Sequence, residues 1–396
     1  MGSYSNLYID NYPILTAKND YYEDVIEAIF LPSDYCEYER PLNQRNKITW
    51  GDAYVNEEGN EIIKSFSSTA KICKDRLELF GITVDKAKHN FELAILKMKE
   101  YEVLSFLEDD QPSYDEYLKT IKKVINSGIK IYYESSTSSF EHYLNENELF
   151  VEEQSIILGL WSILSVLPDD AKIEYDLTDV INGGWINDKP YETIQTEKII
   201  VLTEGKTDTE FIKIGLRFFF PHLEGYYHFI DFENSRYEAS ASRLVHTIKS
   251  FVGSGIKSLI IAIFDNDAAA SKEINGLSKV KLPPNIKVLQ YPEIEWAKSY
   301  PSIGPTGLQK MDINGLAGSI EMYLGKDCLQ ANGGYIPIQW TGYVDSIKKY
   351  QGVLLKKTEI QKKFRKKVKD FDKSRFELDN WKELISIIDL MNNTWK

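Results

Sequence analysis

Three cysteines stand in the chain, Cys36, Cys73 and Cys328. They are far apart and form no metal-ligand spacing. A reducing, cytoplasmic setting is therefore the expectation. No run approaches the ~18 consecutive apolar residues that suggest a membrane span, so no membrane partner is expected. The start, Met1-Gly2-Ser3-Tyr4-Ser5-Asn6, lacks a basic stretch followed by an apolar one, and no secretion leader is expected. Asn6 also stands where a myristoylation signal asks for Ser or Thr. No Gly-rich phosphate loop is present, so ATP hydrolysis by the chain itself is not expected. There is no internal repeat and no low-complexity tract.

What is present is an ordinary globular composition, 43% hydrophobic and 27% charged, in a chain long enough for two or three domains. The net charge of −13 argues against a protein that coats nucleic acid indiscriminately. Its distribution is uneven. Residues 348–375 hold twelve basic and three acidic side chains, a surplus of +9 that leaves −22 for the rest. Such asymmetry points to a polyanionic partner; the alternative is a solvated helix face. Lys362, Lys363, Arg365, Lys366 and Lys367 are the candidate nucleic-acid contacts in this segment.

Two apolar, β-branched runs end abruptly in carboxylates. One is Lys198-Ile-Ile-Val-Leu-Thr203, followed by Glu204-Gly205-Lys206-Thr207-Asp208. The other is Ser258-Leu-Ile-Ile-Ala-Ile-Phe264, followed by Asp265-Asn266-Asp267. A buried parallel strand reads this way, and ligands bind beyond the carboxyl ends of such strands. Two of these strands side by side gather Glu204, Asp208, Asp265 and Asp267 in one small volume. Their repulsion calls for a cation, and Mg²⁺ (or Mn²⁺) is the oxygen-loving choice beside phosphates. Asp-Asn-Asp before a helix is also good capping chemistry, but capping accounts for one carboxylate and not for three or four. Asp208 either ligates or favours the helix dipole. Lys206 either contacts a phosphate or sits in solvent at the turn.

Residues 1–195 read as mainly helical with a few short strands. The helical stretches are Asp20–Leu31, Ile62–Phe80 closed by Gly81, Val84–Leu107 and Glu148–Leu167 around Trp161. Another opens at a Ser113/Glu116 capping box. From 196 to about 330 strands alternate with helices: strand Lys198–Thr203, helix Thr207–Phe219, strand Tyr227–Phe232, helix Ala239–Val252, strand Lys257–Phe264 and strand Ile286–Tyr291. That alternation implies a mostly parallel sheet flanked by helices, an α/β fold. Beyond about 335 the pattern is helical again. The expected division is 1–195, 196–330 and a basic helical 331–396.

Glu-Gly after one strand and Asp-x-Asp after another about sixty residues on resembles the topoisomerase–primase (Toprim) fold. The Glu204-Gly205-Lys206-x-Asp208 form is similar to the small Toprim ribonucleases and overcoming-lysogenization-defect nucleases. The start of the chain and the helical region behind it resemble the HEPN/Toprim-associated domain of bacterial defence proteins. The resemblance implies a Mg²⁺-dependent nuclease with Glu204, Asp265 and Asp267 catalytic. It also implies a homo-oligomer, most simply a dimer, and allows a separate defence partner protein. Many Toprim domains carry a third aspartate where this chain has Ala269. Glu321 is the candidate replacement, or a first-turn glutamate. Catalytic HEPN ribonucleases place an arginine shortly before a histidine on one helix. Neither His89 nor His142 has one, and Pro221 breaks the Arg217…His222 pair.

Three functions follow as expectations. The first is a metal-dependent nuclease acting on DNA or RNA in antiphage defence. The second is an inactive Toprim scaffold that binds nucleic acid or a protein. The third is a primase-like nucleotidyl transferase.

Overall fold

The computed structural model describes residues 2–51, 57–100, 112–128, 139–193, 198–230, 240–331, 333–372 and 376–396. The chain forms two compact units, Met1–Glu197 with Trp395–Lys396, and Lys198–Thr394. Residues 331–394 thus fall within the second unit.

In the first unit five strands, β1 (Tyr4–Ile9), β2 (Tyr12–Lys18), β3 (Tyr35–Pro41), β4 (Asn60–Thr69) and β5 (Lys172–Asp176), build a sheet in the order β2-β1-β5-β4-β3. Every pairing is antiparallel. Its helices are α1 (Glu23–Ile29), α2 (Lys47–Trp50), α3 (Ala70–Leu79), α4 (Val84–Glu100), α5 (Tyr114–Ser127), α6 (Ser139–Glu146), α7 (Ile156–Ser165) and α8 (Thr178–Asn182). Strand alternation sorts the sheet into two faces. Leu7, Phe66, Ile173 and Tyr175 join the helices in one apolar core. The other face is a buried polar network, in which Tyr38 Oη and Ser65 Oγ donate to Glu174 Oε1 at 2.8 and 3.0 Å.

Ser113 and Glu116 form the expected capping box at the start of α5. The stretch read as one helix over Ile62–Phe80 is instead β4 followed by α3. Its Ser-Ser-Thr sequence marks a helix start, with the Thr69 side chain accepting from Ile72 N–H at 3.4 Å, because short hydroxyl side chains cap helices better than they continue them. The expected extension of α4 to Leu107 lies outside the described residues. Trp161 is only 7% exposed and sits in the core. Its helix is apolar because Leu160 to Leu164 are internal; Ile156, Ile157 and Leu158 in its first turn are partly buried.

The second unit opens with β6 (Ile199–Thr203), β7 (Tyr227–Phe229), β8 (Ile260–Phe264), the two-residue β9 (Asn266–Asp267) and β10 (Ile286–Gln290). A wholly parallel sheet runs β10-β8-β6-β7. Helices α9 (Lys206–Phe219), α10 (Pro221–Glu224), α11 (Ala241–Ser254) and α12 (Ala268–Asn275) connect these strands. The expected alternation is present. The predicted end of the second strand, Asp231–Phe232, and the predicted helix start at Ala239 lie outside the described residues.

A second sheet, in the order β12-β11-β16-β17, joins β11 (Tyr300–Gly304), β12 (Gly307–Met311), β16 (Ile338–Val344) and β17 (Lys349–Leu354). Three short strands lie between them in sequence, β13 (Ala317–Gly318), β14 (Gln330–Ala331) and β15 (Gly334–Tyr335). Helices α13 (Lys326–Leu329), α14 (Lys357–Lys369) and α15 (Lys382–Asn392) complete the unit. The stretch read as helical from residue 335 thus begins with a β-hairpin. Ile338-Gln-Trp-Thr-Gly-Tyr-Val344 is β-branched and aromatic, and such residues favour a pleated surface over a helix. The following turn closes through Lys348, whose φ is +54°.

Between α8 and the second unit the chain runs through Gly183 to Lys189, all exposed but Ile186, with Trp185 52% exposed. Exposed loop segments are preferred sites of nicking. A low-specificity protease at limiting dose is expected to cut first within this stretch and release two resistant fragments. Intact-mass analysis that maps the first cut inside β4 or β8 would refute that boundary.

Candidate active site

Strands β6 and β8 are direct neighbours, with Thr203 opposite Ile263. Their carboxyl ends therefore deliver Glu204 and Asp265 side by side, and the Asp265 N–H donates to Glu204 Oε1 at 2.9 Å. Gln290, at the end of β10, donates to the Asp265 carbonyl at 2.9 Å and fixes that turn. Asp267 is the N-cap of α12, its Oδ1 accepting from Ala270 N–H at 2.8 Å. Its Oδ2 accepts from Gln351 Nε2 at 2.9 Å, while Gln351 Oε1 accepts from Ala269 N–H at 2.8 Å. Asp208 lies in the first turn of α9 but is buried, and Tyr291 Oη donates to its Oδ1 at 2.8 Å. Asp208 is thus a first-turn residue, as the dipole reading has it, but one turned into the protein and not into solvent.

Glu321 reaches the site through β13, which pairs antiparallel with β9, Ala317 against Asp267 and Gly318 against Asn266. A Cβ on Gly318 would come within 2.7 Å of the Asn266 carbonyl oxygen, so only glycine permits the approach. Glu321 is buried and both its oxygens are engaged. Ser319 Oγ and Gln361 Nε2 each donate at 2.7 Å, and Lys357 Nζ lies 3.3 Å away.

The carboxylates feel one another. Burial, then repulsion from Asp267 and Asp208, pushes Glu204 up to about 7, although the Asp265 N–H pulls the other way. Burial pushes Asp208 up to about 6, with Glu321 adding to it and Tyr291 opposing. Burial and the negative charges of Asp208, Glu204 and Asp267 hold Asp265 well above the ordinary carboxylate range. Burial works against ionised Glu321 too, but Lys357, Ser319 and Gln361 outweigh it and hold Glu321 low. Lys357, the first residue of α14, is the shared counter-charge. Burial would lower its pKa, but Glu321 and Asp265 raise it on balance.

Against this geometry, the family comparison concerns the first unit. Residues 1–199 match the family model described as HEPN/Toprim N-terminal domain 1. The chain belongs to that family. No curated protein and no solved structure matches it. The carboxylate cluster of this HEPN/Toprim family member lies beyond the matched residues. Within the first unit, His89 and His142 have no arginine at ribonuclease spacing. In the second unit, Arg217 pairs with Glu224 at 3.0 Å, next to the break at Pro221.

Among the described residues no group of three or more His, Cys, Asp or Glu side chains converges to hold a metal ion. The donor chemistry nonetheless suits a hard dication. Asp265 Oδ1 is shut off from solvent and has no hydrogen-bond partner among the described residues, and buried polar atoms in native proteins are almost always paired. Glu204, Asp265 and Asp267 are the side chains that would hold such an ion, with Asp267 exchanging its Gln351 contact for it. Asp208 and Glu321 are already committed to Tyr291 and to the Ser319–Gln361–Lys357 group.

Sequence reasoning missed Lys357, Tyr291, Gln290 and Gln351 as members of this site. The basic helix it singled out is only partly free. Arg365 forms a two-pronged pair with Glu210, both contacts 2.7 Å. Lys367 binds Asp327 at 2.9 Å and two backbone carbonyls, and Lys363 donates to the Gln330 carbonyl. Lys362 and Lys366 are exposed, as is Lys206 at the start of α9.

Proposed function

We propose that the Lys198–Thr394 unit cleaves phosphodiester bonds in nucleic acid. The juxtaposition of Glu204 and Asp265 at two adjacent parallel strand ends, with Asp265 Oδ1 left unpaired in a negative cluster, carries this reading. Glu204, with a pKa near neutrality, is suited to take the proton of an attacking water. Its partner, the Asp265 N–H, orients the carboxylate. Lys357 presents an ammonium to a non-bridging phosphate oxygen. A Mg²⁺ or Mn²⁺ ion, when bound, would neutralise charge on the phosphorus centre and lower the pKa of the water. The proposed antiphage setting rests on family likeness alone.

A second reading, a scaffold without turnover, is favoured by two observations. Asp267 is committed to capping α12 and to Gln351, and Ala269 replaces the acid that many Toprim domains carry. Incubation of the purified chain with Mg²⁺ or Mn²⁺ and plasmid, single-stranded DNA, tRNA and total RNA separates the two. Cleavage that stops with EDTA is expected, and intact substrates with either metal would leave the scaffold reading.

A further inference from the structure

The hairpin β16–β17 carries a group of side chains that the core does not use. Tyr343 and Tyr350 are cross-strand partners, 48% and 57% exposed, with ring centroids 5.0 Å apart. Trp340, half-buried, continues the row at 6.2 Å from Tyr350. Large apolar rings left in water on one short hairpin are a cost to the fold unless something covers them. Lys348 and Lys349 precede Tyr350 in the chain, exposed, and their side chains have no hydrogen-bond or ion-pair partner among the described residues. An aromatic row edged by free ammonium groups matches bases that stack and a backbone of phosphates. It does not match an apolar protein face, which would leave the lysines unpaired.

The same strand leads to the carboxylates. Gln351, next after Tyr350, holds Asp267 at 2.9 Å. The ammonium of Lys349 lies 3.2 Å from the position of a Cβ on Gly315, whose N–H donates to Asn266 Oδ1 at 2.9 Å. Asn266 sits between Asp265 and Asp267. Tyr350 and Gln351 are successive residues and so face opposite sides of β17; the rings are tied to the acidic cluster through the backbone of that strand.

We infer that the hairpin of Trp340, Tyr343 and Tyr350, with Lys348 and Lys349, is a base-stacking platform for single-stranded nucleic acid serving the carboxylate site. The inference rests on the nuclease reading for its purpose. It moves the principal nucleic-acid contact from α14, where Arg365 and Lys367 serve the fold, to the hairpin. Bases must be unpaired to lie on the rings, so a duplex is the poorer ligand.

The test is fluorescence anisotropy of the full chain in EDTA with labelled oligothymidylate, oligouridylate and a duplex. The two single strands decide between DNA and RNA. Tyr343→Ala should weaken single-strand binding about tenfold and Tyr343→Ala with Tyr350→Ala about a hundredfold. The Tyr→Phe pair should bind within a few fold of wild type, because stacking needs the ring and not the hydroxyl. Lys348→Gln with Lys349→Gln should flatten the log–log salt slope by about 0.7 per lysine. The Phe pair and a melting curve exclude misfolding as the cause. Wild-type affinity in the Ala pair, equal binding of duplex, no binding at all, or a larger loss in Lys362→Gln with Lys366→Gln would each overturn the platform. Binding in EDTA is independent of cleavage. A chain that binds through the hairpin and never cleaves refutes only the nuclease reading. A chain that cleaves, with affinity unmoved in the tyrosine variants, refutes only the platform.

Discussion

Glu204→Gln is expected to lower the cleavage rate by about a hundredfold to ten-thousandfold, the range for removing a general base, while nucleic-acid affinity stays within a few fold. Gln retains the length of the side chain and a carbonyl oxygen for the Asp265 N–H, which donates at 2.9 Å, but it cannot exchange a proton at neutral pH. The loss should therefore fall on kcat rather than KM. The wild-type rate should rise with pH along a limb whose midpoint lies at or below about 7, the value to which burial and the neighbouring acids push Glu204. A cation beside it can only move that midpoint down. The variant should lose the limb as well as the rate. A Gln variant that turns over at the wild-type rate would remove Glu204 from the chemistry, and one that fails to fold would show it to be structural.

The parallel sheet was legible because its strands are buried on both faces. Ile199–Thr203 and Ile260–Phe264 are unbroken apolar runs that stop at acids, and nothing but a strand end places acids so abruptly. The adjacency of β6 and β8 was supposed and not read, since an apolar run does not name its neighbour in the sheet; the structure supplies it. The residues that complete the site were not legible, because they come from segments whose own patterns say other things. Lys357 opens a lysine-rich helix and looked like one more solvated cation, yet it is the counter-charge for Glu321 and Asp265. Gln351 and Tyr291 are uncharged and carry no motif. The hairpin was hidden by the lysines around it, which drew attention to net charge, and by the register shift after Trp340, which breaks the strand period between Trp340 and Tyr343. In the first unit, β4 ran directly into α3 without a Gly or Pro between them. Only Thr69, as a cap, marked the change of period.

Asp265→Asn is expected to abolish cleavage and, in metal-free buffer above neutral pH, to make the second unit more stable than wild type. The sign follows from linkage. Folded-state pKa values are raised for Glu204, to about 7, for Asp208, to about 6, and for Asp265, well above the ordinary range. Below about pH 4 these groups are protonated in both folded and unfolded chains, and the cluster has no effect. As the pH rises, the unfolded chain releases protons that the folded chain retains, so stability falls until the folded groups also ionise. For Glu204 alone the loss is about 3 kcal/mol by pH 7, and the three terms do not add because the groups titrate together. Asn at 265 cannot ionise, so the folded chain no longer takes on that buried charge as the pH rises, and its N–H₂ can donate to the carboxylate neighbours. Calorimetry between pH 4 and 8 in EDTA should show the wild-type transition of the second unit falling with pH, and the Asn variant falling less, with the two converging near pH 4. Millimolar Mg²⁺ should raise the wild-type transition and leave the variant unmoved, since a ligand stabilises only the state that binds it. An Asn variant less stable than wild type at pH 8 would mean that Asp265 is a structural acceptor, and that the negative cluster is held for the fold and not for a cation.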